Sequence, residues 1–309
     1  MESLTSSAML SEIVATLHED MTASEVMVAL ISGAALSYKY DSALRPFPSM
    51  FIRGGEKDIS ALRMALSRIP KLSRISENTA LDHQALTLLH WCLCCQPFKL
   101  RTGEKFPGAD YLVEVEVSSQ QRRLFEGAKL SHDSPVRSAF HGTRLESVFS
   151  ILTCGLLAHM NKADLYGRGT YLTTERHVAQ NFTNSASIWP NSSLGSQLRC
   201  ITICEYIADH PDVRSKERQE RHQTAIPEKY LLVKNNAAVR IKSLILYSTK
   251  SSRKLLSSRN IARCWSHVKT NKLLIVVLIY IVLVTFSKFS RSGPVRKLWL
   301  MLHNDHNHR

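Results

Sequence analysis

Val113-Glu114-Val115-Glu116-Val117 is the stretch on which the reading of the fold turns. Valine and glutamate alternate with a period of two, as in a strand with one buried and one wet face. Upstream the period is helical. Ile59, Leu62, Met64, Leu66 and Ile69 run up to a stop at Pro70, and Leu81, Ala85, Leu88, Leu89 and Cys92 continue until Pro97. Thr22 and Glu25 have the spacing of a capping box ahead of Val26, Leu30 and Ala34. Between the two regimes lies 97–108, with two prolines and two glycines. An all-helical domain over 1–96 and a second domain over 97–250 follow from this change of period.

Downstream of the valines, further strands are expected at 136–140, 169–173, 198–207, 229–234 and 240–247, with helices at 145–153 and 175–183. Six strands with so few helices favour an α+β fold with a mixed or antiparallel sheet over a doubly wound one. The chain has neither G-x-G-x-x-G nor a P-loop. The charge-crowded stretch 212–228, with Arg214, Lys216, Glu217, Arg218, Glu220 and Arg221, reads as a mobile surface loop.

The 309 residues carry 40 Lys plus Arg against 26 Asp plus Glu, a net charge of +14. Twelve of the basic residues and one acidic residue lie from Lys250 onward, so the tail holds +11 and residues 1–249 only +3. The basicity therefore belongs to the tail, and no nucleic-acid partner is expected. Seven cysteines without a secreted-domain framework, and no signal peptide around Ser3 to Leu10, suit a reducing compartment. Cys92-Leu93-Cys94-Cys95 lacks the paired spacing and histidine partners of a zinc site, so no metal is expected.

Leu273 to Phe286 is an uncharged run of fourteen residues, bracketed by Lys269, Lys272 and Lys288. As a helix it is about 21 Å long, short of a bilayer core of about 30 Å. Leu, Ile and Val cover all its faces, it lies past the last expected strand, and its flanking lysines can snorkel. These features favour a single transmembrane helix over 272–289, preceded by a basic linker (251–271) and followed by a short lumenal tail (290–309). A span so close to the C-terminus emerges after synthesis ends, which leaves the folded part facing the cytoplasm.

Phe140-His141-Gly142-Thr143 closes one expected strand, and Gly167-Arg168-Gly169-Thr170-Tyr171-Leu172-Thr173 leads into the next through a glycine turn. Phe182 follows eleven residues later, and Tyr230-Leu231-Leu232-Val233 forms a third strand. In this order, over roughly residues 110–250, the motifs resemble the catalytic domain of the poly(ADP-ribose) polymerase-like, or diphtheria-toxin-like, ADP-ribosyltransferases.

The resemblance implies NAD+ as co-substrate and cleavage of its nicotinamide glycosidic bond through an oxocarbenium-like state, with no metal. His141, Tyr171 and Tyr230 are then the catalytic candidates, and His141, Gly142, Thr143, Gly169, Tyr171 and Phe182 the donor-binding ones. His141 would donate to a ribose hydroxyl, the Gly142 backbone would pair with the carboxamide, and Tyr171 and Phe182 would sandwich the nicotinamide. Polymerising relatives have glutamate where Tyr230 stands; a phenol offers a hydrogen bond but is a poor base at neutral pH, which implies transfer of one ADP-ribose unit. Glu228 lies two positions away and competes for that place. Where many relatives have a serine near the carboxamide, this chain has Ala179, a loss of about one hydrogen bond, on the order of 1 kcal/mol.

With the helical domain and the tail span, the resemblance implies a tail-anchored enzyme of the endoplasmic reticulum membrane, or of the continuous nuclear envelope. Its acceptors would be proteins, including itself and, by resemblance, stress-sensing kinases of that membrane. The competing reading is an NAD or ADP-ribose binding module, or a membrane scaffold, with catalysis lost.

Overall fold

The structure is a computed structural model that describes residues 5–131, 134–160, 165–218 and 225–249. The apolar run of the tail lies outside them, and among the described residues no helix is long and apolar enough to cross a membrane. The helical half contains α1 (Ser6–Glu19), α2 (Met21–Leu36), α3 (Tyr40–Ala43), α4 (Ile59–Arg68) and α5 (His83–Cys94), with a small hairpin of β1 (Ile52–Arg53) and β2 (Glu56–Lys57). The rest is β3 (Lys99–Thr102), β4 (Tyr111–Glu116), α6 (Ser119–Leu130), β5 (Val136–Gly142), α7 (Leu145–Cys154), β6 (Thr170–Thr173), α8 (Arg176–Gln180), β7 (Ala186–Ser187), β8 (Gln197–Ile207), β9 (Val213–Arg214), β10 (Tyr230–Val233) and β11 (Val239–Thr249).

The described strands from β3 onward form one antiparallel sheet in the order β3-β4-β11-β8-β5-β6-β10-β9, with β7 on the flank of β8. An α+β fold with an antiparallel sheet is thus what the valine alternation points to. Val113 is fully buried and pairs with Leu244, while Glu114 and Glu116 stay wet. Part of 97–108, read as a boundary, is strand: β3 pairs with β4 from Lys99↔Glu116 to Thr102↔Val113. Val213–Arg214, read as surface loop, is β9, and Arg214 is buried; residues 219–224 lie outside the described set.

The helices share one core with the sheet, and α2 is its centre. Every residue from Ala23 to Ala35 is buried, because a helix with small and apolar side chains on all faces has no face to give to water. The capping box is not used. Asp20 caps α2 instead, accepting from Ala23 N at 2.9 Å, and its carboxyl also takes the N–H and hydroxyl of Thr102 at 2.6 Å each. Burial pushes the Asp20 pKa up, but these hydrogen bonds outweigh it and hold the group below the usual carboxylate range.

Released from capping, Glu25 reaches across to the loop that leads into β8. Its buried carboxyl accepts from Ser192 Oγ at 3.1 Å, Ser193 N at 3.1 Å and Ser193 Oγ at 2.8 Å. Two turns further along α2, Ser32 Oγ accepts from the N–H of the fully buried Trp189 at 3.1 Å. Glu25→Ala should cost about 1–3 kcal/mol, since it removes the charged acceptor of three half-buried hydrogen bonds. Denaturant unfolding measures this, and a change below about 1 kcal/mol would show that the clasp does not hold α2 to the sheet.

Candidate active site

β5 and β6 are neighbours in the sheet, yet they share a single register pair, Phe140↔Thr173. Beyond it the strands part, and the gap is bridged by a side chain. His141 Nδ1 lies 2.8 Å from the Tyr171 carbonyl oxygen. A carbonyl only accepts, so Nδ1 carries the proton and Nε2 is left with its lone pair. Burial drives the His141 pKa down, against the opposing pull of that hydrogen bond, so the ring is neutral at pH 7. Nε2 is thus left as an acceptor, whereas a donor is expected from sequence at this residue.

The opened strands make a cleft of about 210 Å³ in which His141, Gly142, Tyr166, Tyr171, Phe182 and Tyr230 meet. Phe182 is 58% exposed even though it lines a cleft, an apolar ring face left to water. Gly142 is there for space. A Cβ on it would sit 2.0 Å from the Ala179 carbonyl oxygen and 2.9 Å from Phe182 Cβ, so only glycine lets α8 close on β5. Ala179 is fully buried and also lines the cleft.

The Tyr171 hydroxyl is occupied by backbone. It donates to the Gly167 carbonyl at 2.8 Å and accepts from Tyr166 N at 2.9 Å, pinning the turn 166–167 against its own strand. Gly167 has φ +106, a conformation that glycine adopts without strain. Gly169 is not among the cleft's lining residues. A Cβ there would meet Leu232 Cδ1 at 2.6 Å and the Val233 carbonyl at 2.9 Å, so Gly169 makes room for β10.

β10 pairs with β6, Tyr230 opposite Thr173 and Leu232 opposite Tyr171, and this register carries Tyr230 into the cleft. Glu228 does not reach it: its side chain is 83% exposed and pairs with Lys216 at 3.0 Å. Lys229 Nζ lies 5.8 Å from the centroid of the Tyr230 ring.

Tyr166 was not singled out from sequence, although it directly precedes the glycine turn. Its ring lies 6.2 Å from that of Tyr171 and 6.0 Å from that of Tyr230, tilted to both, and Arg214 Nη1 donates to its carbonyl at 2.9 Å. A third tyrosine therefore joins the two expected ones.

Thr143 lies next door. It lines a second cleft of about 450 Å³, which His141 also lines, so the histidine stands between the two spaces. Arg144 and Ser147 of the sheet half border this cleft together with Lys39 and Arg45 of the helical half.

Comparison with known proteins settles the family. The ARTD15 N-terminal domain family matches residues 15–93, and the poly(ADP-ribose) polymerase catalytic domain family matches residues 101–225. Two curated relatives are similar along nearly the whole chain. "Protein mono-ADP-ribosyltransferase PARP16" of Homo sapiens is 33% identical over 91% of this chain and 94% of its own length. The Mus musculus protein of the same name is 31% identical over the same shares. The chain belongs to the poly(ADP-ribose) polymerase-like ADP-ribosyltransferases. Membership of this transferase family makes it an enzyme that uses NAD+ as co-substrate.

The close approach at Gly142 gives a direct test of how the transferase cleft is built. Gly142→Ala should abolish donor binding and lower stability by about 2 kcal/mol or more, because backbone has to move. Gly127→Ala is the control. In α6 its added Cβ meets nothing within 4 Å, so a gain of about 0.5–1 kcal/mol is expected. Calorimetry with and without NAD+ reads both, and a Gly142→Ala chain that binds NAD+ normally would refute the packing account.

Proposed function

We propose that the chain is a protein mono-ADP-ribosyltransferase: it transfers a single ADP-ribose from NAD+ to protein acceptors, itself included, and releases nicotinamide. The observation that carries this reading is the convergence of neutral His141, Tyr171, exposed Phe182 and Tyr230 on one cleft. The relatives' names support it.

The residues present fit the donor. The Tyr171 and Phe182 rings offer apolar faces to a planar heterocycle, worth about 0.5–1.5 kcal/mol per aromatic pair beyond area. Gly142 leaves its backbone close to the cleft. His141 Nε2 accepts from a ribose hydroxyl and holds the sugar at the boundary between the two clefts, while Thr143, Arg144 and Ser147 border the larger space for the adenylate half. When bound, NAD+ supplies the ADP-ribosyl group and a neutral nicotinamide leaving group. Little protonation is needed, so the chain contributes mainly position.

Tyr230 supports the single-unit outcome. Its hydroxyl can give one hydrogen bond, whereas polarising the next ribose hydroxyl calls for a carboxylate, and Glu228 points to solvent.

The remaining segments are assigned on the same footing: 1–96 as a helical regulatory domain, 97–250 as the transferase, 251–271 as a basic linker, 272–289 as a single membrane span and 290–309 as a lumenal tail. The span's composition supports an anchor in the endoplasmic reticulum membrane with the transferase in the cytoplasm, where acceptors are membrane-associated proteins.

The full-length chain incubated with NAD+ labelled in the adenylate should give one discrete labelled band. His141→Ala and Tyr171→Ala should each reduce labelling about 100-fold, the scale expected when a reacting group is misplaced. No label, with NAD+ still raising the melting temperature, would mark a binding module instead; an unlabelled chain with no NAD+ shift would mark a scaffold.

The depressed His141 pKa adds a pH test. Below the unfolded-state value of 6.5 the unfolded chain takes up a proton that the folded chain refuses, so this contribution to stability is present above pH 6.5 and is lost as pH falls towards the lower folded value. The KM for NAD+ should be flat from about pH 7 to 8 and rise only on the acid side of the ordinary histidine pKa. A rise with its midpoint at or above pH 7 would contradict a neutral acceptor.

A further inference from the structure

The first two turns of α1 and the last two turns of α5 bring together three side chains that the transferase does not use. On α5, His90 and Cys94 stand at i and i+4, one above the other on a single helix face. On α1, Glu12 faces them. His90 Nε2 and Glu12 Oε2 are 2.7 Å apart, and one ligand atom from each of Glu12, His90 and Cys94 lies within 4.8 Å of the other two. We propose that these three residues form a binding site for a zinc-type divalent cation that clips α1 to α5.

The donor set selects the metal. Imidazole, thiolate and one carboxylate suit zinc, whereas the hard oxygen-seeking cations would have no use for the sulfur. The geometry is close to what is needed. Bonds of about 2.0 Å to nitrogen and oxygen and about 2.3 Å to sulfur place tetrahedral ligand atoms roughly 3.3–3.6 Å apart. The His–Glu pair has to open by about 0.6 Å and the sulfur to close in by up to about 1.3 Å on those bond lengths.

Glu12 is free to adjust, with half of its side chain exposed, while His90 is held, only 10% exposed. Cys95 Sγ sits 3.7 Å from His90 Nδ1, on the far side of the ring, where it can fix the ring's orientation as an outer partner does. Glu12 and Cys94 also line a cleft of about 580 Å³, together with Glu19, Asp20, Lys99 and Arg101, through which a cation and a completing water can reach the two ligands.

Without a cation the Cys94 thiol keeps its proton, since burial raises its pKa. Binding forms the sulfur–metal bond and releases the thiol proton to solvent, and the proton that His90 Nε2 holds towards Glu12 also leaves that nitrogen, passing to Nδ1 or to solvent, so that its lone pair can ligate. Spacing within 92–95 alone could not reveal this site, because one partner comes from α1 and the histidine precedes the cysteines by a helical turn.

The full-length chain in detergent, stripped of metal, is titrated with Co2+ and then Zn2+. One equivalent of Co2+ should give tetrahedral absorption bands with a sulfur-to-cobalt charge-transfer band, which Zn2+ then displaces. Cys94→Ser should remove the charge-transfer band, and His90→Ala and Glu12→Gln should each weaken Zn2+ binding by about 100-fold, the upper end of what losing a mere outer partner costs. Zn2+ should raise the melting temperature of the native chain but not that of Cys94→Ser. Glu12→Gln changes a half-exposed group, so it reports on binding even where the buried variants fold poorly. The tail histidines His303, His306 and His308 cannot imitate the sulfur band. A band that survives in Cys94→Ser, a native chain that binds no Co2+, or a Glu12→Gln chain with native Zn2+ affinity would each overturn the assignment.

Discussion

One hydrogen bond, from His141 Nδ1 to the Tyr171 carbonyl, spans the place where the central sheet comes apart. Strands that pair along their length leave no room for a ligand, and strands that part leave backbone groups unpaired. Here the side chain takes over one of those groups. In doing so it closes the fold, fixes which nitrogen carries the proton and holds the ring where both clefts can use it. Desolvation then keeps the ring neutral. The neighbouring features follow from the same opening: Gly142 admits the backbone of α8, Tyr171 ties down the glycine turn with its hydroxyl, and β10 slots in with Tyr230 facing the space.

Much of this was legible in the sequence, for reasons that can be named. Alternation of valine and glutamate over 113–117 is a local signal, and the strand it marks keeps its glutamates in water. His141, Tyr171, Phe182 and Tyr230 were recognisable because each stands in a short motif, and the structure gathers all four around one cleft. Gly169 was recognisable as a requirement but not as a packing residue, since a ligand and a neighbouring strand impose the same demand for a missing Cβ.

What was not legible depends on partners far along the chain. Thr22 and Glu25 satisfy the pattern of a helix start as well as Asp20 does, and only Thr102 and the Ser192–Ser193 loop decide between them. Helix α6 was missed because its residues are mostly polar and it buries one side chain, Phe125. Tyr166 stands in a turn and Arg214 in the two-residue strand β9, segments too short to show a period, and their meaning comes from the Tyr166 carbonyl that Arg214 binds. The cluster on α1 and α5 is of the same kind, a long-range meeting that no spacing rule contains.

The larger cleft beside His141 has one consequence for how the two halves of the polypeptide relate. Lys39 and Arg45 belong to the helical half, yet they border the same space as Thr143 and Ser147. A lobe that supplies part of a wall is not a separable accessory. That lobe is tied to the sheet half through Glu25 and Ser32 of α2, which hold the loop leading into β8. In this protein, one continuous apolar core lies behind both halves that wall the cleft.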